Sequence, residues 1–551
     1  MAGGAARPHR TAGRRLRLPL RSLQFADRGA GPGRRIPRCR HHPRRPDADA
    51  TAPLRDVPVR RHRPGHPAHL RRPGGSEAQP RLVSAGLGRA LELGAHDRIT
   101  GAVTTGARET VCVVGAGYVG LTTAVCLAET GHDVRLVEID AARLAVLGAG
   151  RAPIHEPGVD ELLTAALRCG RLRVGADLIE AMAGASIAVI AVGTPPEAGG
   201  DADLSQVRSA LAGVAGAAES GTIVVIKSSV PPGTTVRLQP LVRRGRRRLL
   251  LVTCPEFLRE GEALRDFHHP ARVVVGGDDP AACRRVAALF AAPDSKVILT
   301  DFTSAELIKY GANAFLALKI SFINELAQLC ESTGADVEAV ADGVGSDPRI
   351  GRAFLSAGLG FGGSCFPKDV RALEETASYH GHSFWLLKAA VEVNAQQRRR
   401  FVAKIAAALH GRLAGRRVAV LGLAFKPGTD DMRQAASIDI VRHLVDLGAT
   451  VCATDPVALE RARAALPGVE MVEDPYACVQ GADAIAVITE WPQYRDLDWT
   501  RIAQVVRRPL VIDGRNCLDG EALGRLGFTY VSVGRRSVTP PRGAPSPVSA
   551  A

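Results

Sequence analysis

The chain has 551 residues, 46% apolar and 23% charged, with 71 Lys and Arg against 56 Asp and Glu, a formal net charge of +15. This is the composition of a globular protein of several domains, at about 150 residues each. No uncharged apolar run reaches the ~18 residues a transmembrane helix needs, so membrane-spanning and wholly disordered classes are excluded and no membrane partner is expected.

The charge is uneven. Residues 1–108 hold 23 Arg, no Lys and seven acidic residues, a net of +16, while residues 109–551 hold 48 basic and 49 acidic side chains, a net of −1. With 12 Pro, 7 His and no sustained apolar period, this arm buries too little apolar surface to offset ordering entropy and is predicted to be disordered. No apolar stretch follows Arg14-Arg15 or Arg34-Arg35, as a secretory or twin-arginine signal requires, and only Ser22, Ser76 and Ser84 stand where a transit peptide is Ser-rich. A nucleic-acid-binding arm usually mixes Lys with Arg and interleaves aromatics, and Phe25 is alone. Nucleic acid is therefore the weaker expectation, and a true start downstream, near Val103, the simpler one. The 11 cysteines are spread singly from Cys39 to Cys517 with no C-x-x-C pair, which predicts no metal site and a reducing, cytoplasmic setting.

Glu109 to Val114 reads as a buried strand, followed by G-x-G-x-x-G at Gly115, Gly117 and Gly120, an apolar helix to Glu129, and a second strand Val134–Val137 ending in Glu138. The three glycines serve the tight turn, backbone approach to a pyrophosphate, and helix–strand packing. The pyrophosphate would lie at the helix N-terminus. Glu138 is placed to accept hydrogen bonds from a ribose diol and to repel a 2′-phosphate, which favours NAD over NADP. Further strands are predicted at Ile187–Val192, Ile223–Ile226, Leu249–Val252 and Arg272–Val275.

Ser304 to about Cys330 is predicted to be a long buried helix that joins domains and packs on another subunit. Lys309 and Asn313, four apart, share one face; they either point into a cleft or serve as an ordinary snorkelling Lys and its neighbour. Gly358 to Val370 places Cys365 between a glycine loop and a helix start. Helix amides and Lys368 would lower the thiol's pKa and make it a nucleophile, with Asp369 orienting water or a base. The alternative is a small buried residue. Arg416–Lys426 begins a second strand–loop–helix–strand unit that returns at Gly448–Asp455. Its longer loop, Lys426 to Arg433, lacks the glycine fingerprint and carries cations suited to phosphates, or a solvated set of charge pairs.

Together with Ile154–Gly158 (IHEPG), Ala191–Pro196 (AVGTPP), Lys227–Pro231 (KSSVP), Pro255–Gly261 (PEFLREG), Glu306–Phe315, Phe361–Asp369 (FGGSCFPKD) and Phe425–Arg433, these blocks resemble the UDP-glucose/GDP-mannose dehydrogenase family of nucleotide-sugar 6-dehydrogenases. The resemblance spans residues 109–535 and is nearest to the UDP-glucose branch; the arm lies outside it. It implies an α/β fold with two Rossmann-like doubly wound domains joined by a central helical dimerisation region. The boundaries expected are 1–108 for the arm, 109–300 for the NAD-binding domain, 301–412 for the central domain with the Cys loop, 413–535 for the nucleotide-sugar domain, and 536–551 for a disordered tail. It also implies NAD-dependent four-electron oxidation of the C6 alcohol of UDP-glucose to a carboxylate, through a Cys365 thiohemiacetal and thioester, in a homodimer or larger homo-oligomer.

By the same resemblance, Lys309 and Asn313 stabilise the oxyanion, and Asp369 and Glu256 activate water. Gly115, Gly117, Gly120, Glu138, Arg143, Thr194, Ser229, Glu260, Lys368 and Arg433 would contact NAD. Phe257, Leu258, Arg259, Lys309, Phe354, Leu355, Ser356, Ala357, Gly358, Gly362 and Lys426 would contact the sugar nucleotide, with Arg349 and Arg515 as softer members; Arg349 would reach a neighbouring subunit's site. Ser229 stands where Thr is usual, His155 for Tyr, Arg143 for Lys and Gln434 for Glu. Rival readings are a GDP-mannose enzyme, where Leu rather than Phe366 tends to follow the cysteine, and a UDP-N-acetylmannosamine enzyme, with His at the Ser364 position. A β-hydroxyacid-type dehydrogenase would not need Cys365. From another class, a nucleic-acid-binding protein would act through the basic arm.

Overall fold

The computed structural model describes residues 108–541 apart from 198 and 244–247; the expected arm up to residue 107 and the last ten residues lie outside the described residues. The first sheet contains β1 (Thr110–Val114), β2 (Asp133–Val137), β3 (Leu172–Gly175), β4 (Ile187–Ile190), β5 (Ile223–Ile226), β6 (Leu250–Thr253), β7 (Arg272–Gly277) and β8 (Lys296–Thr300), in the order β3-β2-β1-β4-β5-β6-β7-β8. All neighbours are parallel except β6 and β7. The second contains β9 (Arg417–Leu421), β10 (Thr450–Thr454), β11 (Glu470–Met471), β12 (Ala484–Val487), β13 (Leu510–Asp513) and β14 (Thr529–Ser532), in the order β11-β10-β9-β12-β13-β14 and parallel throughout.

Both sheets therefore share the 3-2-1-4-5-6 winding, and each has a crevice at the carboxyl ends of its central pair, β1/β4 and β9/β12, where the strand order reverses. The sequence dictates why these strands pair in parallel. The β4 (IAVI), β5 (IVVI) and β12 (AIAV) runs are apolar at every position and buried at every position, as strands covered by helices on both faces must be. The chain does not leave the second sheet at residue 535. Val538 exchanges backbone hydrogen bonds with Tyr530 of β14, at 2.8 and 2.9 Å.

Between the sheets runs a helix of 32 residues, Phe302–Thr333. Asp301 caps it by accepting from the Ser304 amide at 2.8 Å, and Gly334 ends it at φ +78°, a left-handed conformation glycine adopts without a Cβ penalty. The helices Phe366–Tyr379 and Trp385–Ala408 pack along it; Tyr310, Ala314 and Ala317 meet Val370, Leu373 and Leu387 in one cluster. Burial of this helix is one-sided. Lys309, Tyr310 and Asn313 face inward, while Leu307, Phe315, Phe322 and Leu329 are 48–63% exposed. Among the described residues, no helix is long and apolar enough to cross a membrane.

Candidate active site

The crevice at β1/β4 begins with the glycine loop. Gly115 sits at φ +100°, and a Cβ there would lie 2.8 Å from the Ala191 carbonyl oxygen; a Cβ on Gly120 would lie 1.9 Å from the Gly115 oxygen. Gly117 differs, because an added Cβ meets no protein atom within 4 Å. Gly117 is also the N-cap of the helix Tyr118–Glu129, and no side chain caps that terminus. Open space at one glycine beside an uncapped helix N-terminus is a cradle that fits a pyrophosphate. Glu138, just past β2, is buried and takes the Ala116 amide on Oε2 at 3.1 Å and the Ile139 and Asp140 amides on Oε1 at 2.8 and 2.9 Å. Arg143 reaches the same carboxylate at 4.0 Å. The carboxylate is thus fixed next to the glycine loop with lone pairs left for a ribose diol.

These contacts separate two substitutions. Gly120→Ala is expected to destabilise the fold by several kcal/mol, about the upper end of point-mutant effects. Gly117→Ala is expected to leave stability within about 1 kcal/mol while weakening NAD binding at least about tenfold. Thermal unfolding and NAD titration of the two variants check this; equal losses of stability would contradict it.

Cys365 is half-buried at the N-cap of Phe366–Tyr379. Around it stand two buried pairs supplied by the long helix. Lys309 Nζ lies 3.0 Å from Glu256 Oε1, and Asn313 Nδ2 donates to Asp369 Oδ2 at 2.7 Å. Lys309, Glu256, Asn313 and Asp369 are all 6% exposed or less, and Lys309 also lies 5.3 Å above the Phe257 ring. Burial opposes the Lys309 charge, but the Glu256 carboxylate, with Cys365 and Asp369, outweighs it and holds the pKa above its ordinary value.

The expected thiolate is not what this setting favours. Burial, with the Glu256, Asp369 and Glu260 carboxylates, pushes the Cys365 thiol up to about 11 against the pull of Lys309. Lys368 does not offset this, since its Nζ is engaged by Asp369 Oδ1 at 2.6 Å. Because only the thiolate alkylates, Cys365 of the free protein is expected to react slowly with iodoacetamide at pH 7. The rate should rise about tenfold per pH unit toward pH 11, whereas a plateau below pH 8 would show an activated thiol.

The two crevices meet across the segments Pro255–Gly261 and Phe425–Arg433. Tyr118 Oη contacts Thr429 Oγ1 at 3.0 Å and donates to Asp430 Oδ1 at 2.8 Å, and a Cβ on Gly261 would lie 3.0 Å from the Gly428 oxygen. Glu260 accepts from Ser364 Oγ at 2.9 Å and lies 3.5 Å from Arg433, which is itself held by Asp431 at 2.8 Å. Burial and the nearby Asp431 push the Glu260 carboxyl up to about 7, and among the described residues its Oε2 is buried without a hydrogen-bond partner. Burial depresses the Lys426 pKa beside Glu260, Glu262 and Glu156.

The remaining expected residues are placed as follows. Thr194 Oγ1 donates to the Ser229 carbonyl at 3.0 Å, joining the ends of β4 and β5. Leu258 donates its amide to Glu256 Oε2. Arg259 is tied to Asp266 and Glu262. Phe354 has φ +65° and its ring lies 6.1 Å from that of Phe366; Leu355 and Ala357 are buried, and Ser356 accepts from Arg352. Gly358 is held by Asn324 and Gln397 at 2.8 Å each, and a Cβ on it would lie 3.0 Å from the Gly514 oxygen. Gly362 passes so close to Gln434 that a Cβ would lie 2.5 Å from its oxygen. Arg515, beyond β13, reaches the Ile488 and Phe425 carbonyls. Arg349 stands apart, 87% exposed and paired with Asp347.

Sequence reasoning missed four participants: Tyr118, Ser364, Asp431 and Glu156. Ser364 Oγ bridges Glu260 to Cys365 Sγ, 3.5 Å away, and Glu156 fixes the Pro255–Gly261 segment by accepting from the Gly261 and Ala263 amides at 2.6 and 2.8 Å. The adjacency of Ser364 to Cys365 and the nearness of Asp431 to Arg433 were local signals; the contacts of Tyr118 and Glu156 join segments far apart in the chain.

Comparison with known proteins covers the segments that build this arrangement. Residues 109–293 match the NAD binding domain of the UDP-glucose/GDP-mannose dehydrogenase family, residues 303–396 its central domain, and residues 419–520 its UDP binding domain. The chain is 43% identical over 433 residues to the UDP-glucose 6-dehydrogenase of Rhizobium meliloti, covering 77% of this chain and 99% of that protein. It is 44% identical over 440 residues to that of Pseudomonas aeruginosa, covering 77% and 97%. The structure of a UDP-glucose dehydrogenase from Pyrobaculum islandicum superposes with a TM-score of 0.72 at 40% identity, covering 78% of this chain and 98% of that one. With all three domain matches running in order through the two crevices and the helix between them, the chain belongs to the UDP-glucose/GDP-mannose dehydrogenase family and is an NAD-dependent nucleotide-sugar dehydrogenase.

Proposed function

We propose that the chain oxidises the C6 alcohol of UDP-glucose to the carboxylate of UDP-glucuronate, removing four electrons per sugar. The observation that carries this reading is a thiol, Cys365, set among Lys309, Glu256 and Asp369. A two-electron alcohol dehydrogenase has no use for it. Bound at the glycine loop and Glu138, NAD supplies the hydride acceptor. The chain's own residues do the rest. Lys309 and Asn313 offer N–H groups to the oxygen on C6 as negative charge develops. Cys365 adds to the aldehyde carbon as its proton passes to the carbonyl oxygen, and the thiohemiacetal so formed gives its C6 hydride to a second NAD and its hydroxyl proton to solvent to become the thioester. Glu256 and Asp369, both buried beside Cys365, suit the direction of water onto that thioester. Lys426 and Arg515, beside the second crevice, suit the diphosphate.

The similarity to enzymes that carry UDP-glucose in their names supports the choice of sugar. The exposed apolar stripe of the long helix, Leu307, Phe315, Phe322 and Leu329, supports a homodimer, and the ten free cysteines of the described region suit the cytoplasm. NADH yield is the deciding measurement. UDP-glucose should give two NADH per sugar and turn over faster than GDP-mannose or UDP-N-acetylmannosamine. One NADH per sugar, or a clear preference for either rival, would overturn the proposal.

A further inference from the structure

The sequence has no closely spaced metal-ligand motif, yet the fold gathers three ligand types on the first domain, away from Cys365. Cys126 and Glu129 lie three apart on the last turns of the helix Tyr118–Glu129, hence on one face. His268, at the end of the helix Ala263–His268, meets them. One donor atom from each of the three lies within 4.8 Å of the others, and His268 Nε2 is 3.0 Å from Glu129 Oε2.

Three features of this corner favour a cation. Glu129 sits at a helix C-terminus, where the macrodipole already places partial negative charge and a carboxylate is unfavourable; that last turn carries no basic residue. Cys126 is fully buried at the edge of the apolar cluster of the first domain, and its sulfur makes no hydrogen bond among the described residues, so its lone pairs are open to a cation. The imidazole is oriented by the Phe267 ring, edge-on at 5.8 Å, leaving Nε2 turned toward Glu129.

The donor set selects the metal. Thiolate, imidazole and carboxylate together suit zinc; magnesium and calcium take oxygen ligands. At Zn–S of about 2.3 Å and Zn–N or Zn–O of about 2.0–2.2 Å, tetrahedral donors lie roughly 3.3–3.6 Å apart. Glu129 and His268 side chains are 44% and 33% exposed, so they can move inward to meet that spacing, and the fourth position opens to water. We propose that Cys126, Glu129 and His268 form a zinc site. An ion there would staple the helix that presents the dinucleotide loop to the element directly following Glu256 and Glu260, and so would restrain both walls of the first crevice from behind.

The test uses the full chain carrying Cys365→Ala, which removes the half-buried thiol beside Lys309 and leaves the proposed site intact. Chelator-treated protein is dialysed against zinc, and bound metal is counted by mass spectrometry. The same protein loaded with cobalt(II) is examined for thiolate charge-transfer absorption. The site predicts one zinc lost and the charge-transfer band abolished in Cys126→Ala, and affinity at least tenfold weaker in His268→Ala and Glu129→Gln, both surface changes that leave the fold intact. Zinc held equally by parent and all three variants, as His-rich segments elsewhere could do, would overturn the proposal, as would a parent that binds none. None of these readouts involves sugar oxidation, so they stand or fall apart from the proposed activity.

Discussion

Cys365→Ala is expected to abolish net formation of the carboxylate, lowering turnover with UDP-glucose by on the order of 10⁴-fold or more, the scale seen when a covalent nucleophile is removed. The side chain is half-buried and makes no cap hydrogen bond, so unfolding temperature should change little, with a stability loss of about 1 kcal/mol or less. Separating the two readouts matters here. A variant that melts like the parent yet yields no second NADH places the loss in chemistry, whereas one that still yields two NADH per sugar would remove Cys365 from the mechanism.

Lys309→Met should damage both stability and activity. It strands the Glu256 carboxylate, which is 5% exposed, without its 3.0 Å partner. Breaking a buried pair by removing one member costs about 3–5 kcal/mol, whereas replacing both by groups of similar volume is often near neutral. Lys309→Met combined with Glu256→Gln is therefore expected to recover most of the stability and none of the activity. The turnover loss of the single variant should be at least about 10²–10³-fold, the range for removing one preorganised oxyanion donor. Denaturant unfolding of the two single variants and the double variant tests the coupling; additive losses would show that the pair does not interact.

How much of this was legible depends on how far each feature reaches along the chain. The glycine loop and Glu138 stand within one strand–helix–strand unit, where spacing and chemistry are both local, and in the structure Glu138 accepts from the Ala116 amide inside that loop. Lys309 and Asn313 share a helical face for the same reason. The protonation of Cys365 was misjudged because its sequence neighbours, Lys368 and the helix amides, are cations or donors. The carboxylates that oppose them include Glu256 and Glu260, more than a hundred residues away, and Lys368 is drawn off by Asp369. Tyr118 read only as the variable position of a fingerprint until the fold set it against Asp430. The long helix showed its apolar content but not its division into a buried and an exposed face, since apolar residues occur on both.

The Tyr118 contact to Thr429 and Asp430 and the close approach of Gly261 to Gly428 act together as a clasp between the two halves of the molecule. Any opening that draws residues 428–430 away from the glycine loop has to undo that clasp. Under the proposed reaction, such an opening falls between the two oxidations of one sugar, when an aldehyde held only by weak contacts would diffuse away. A covalent link through Cys365 then serves as a tether across the open state, and the thiol is required for retention as much as for reactivity.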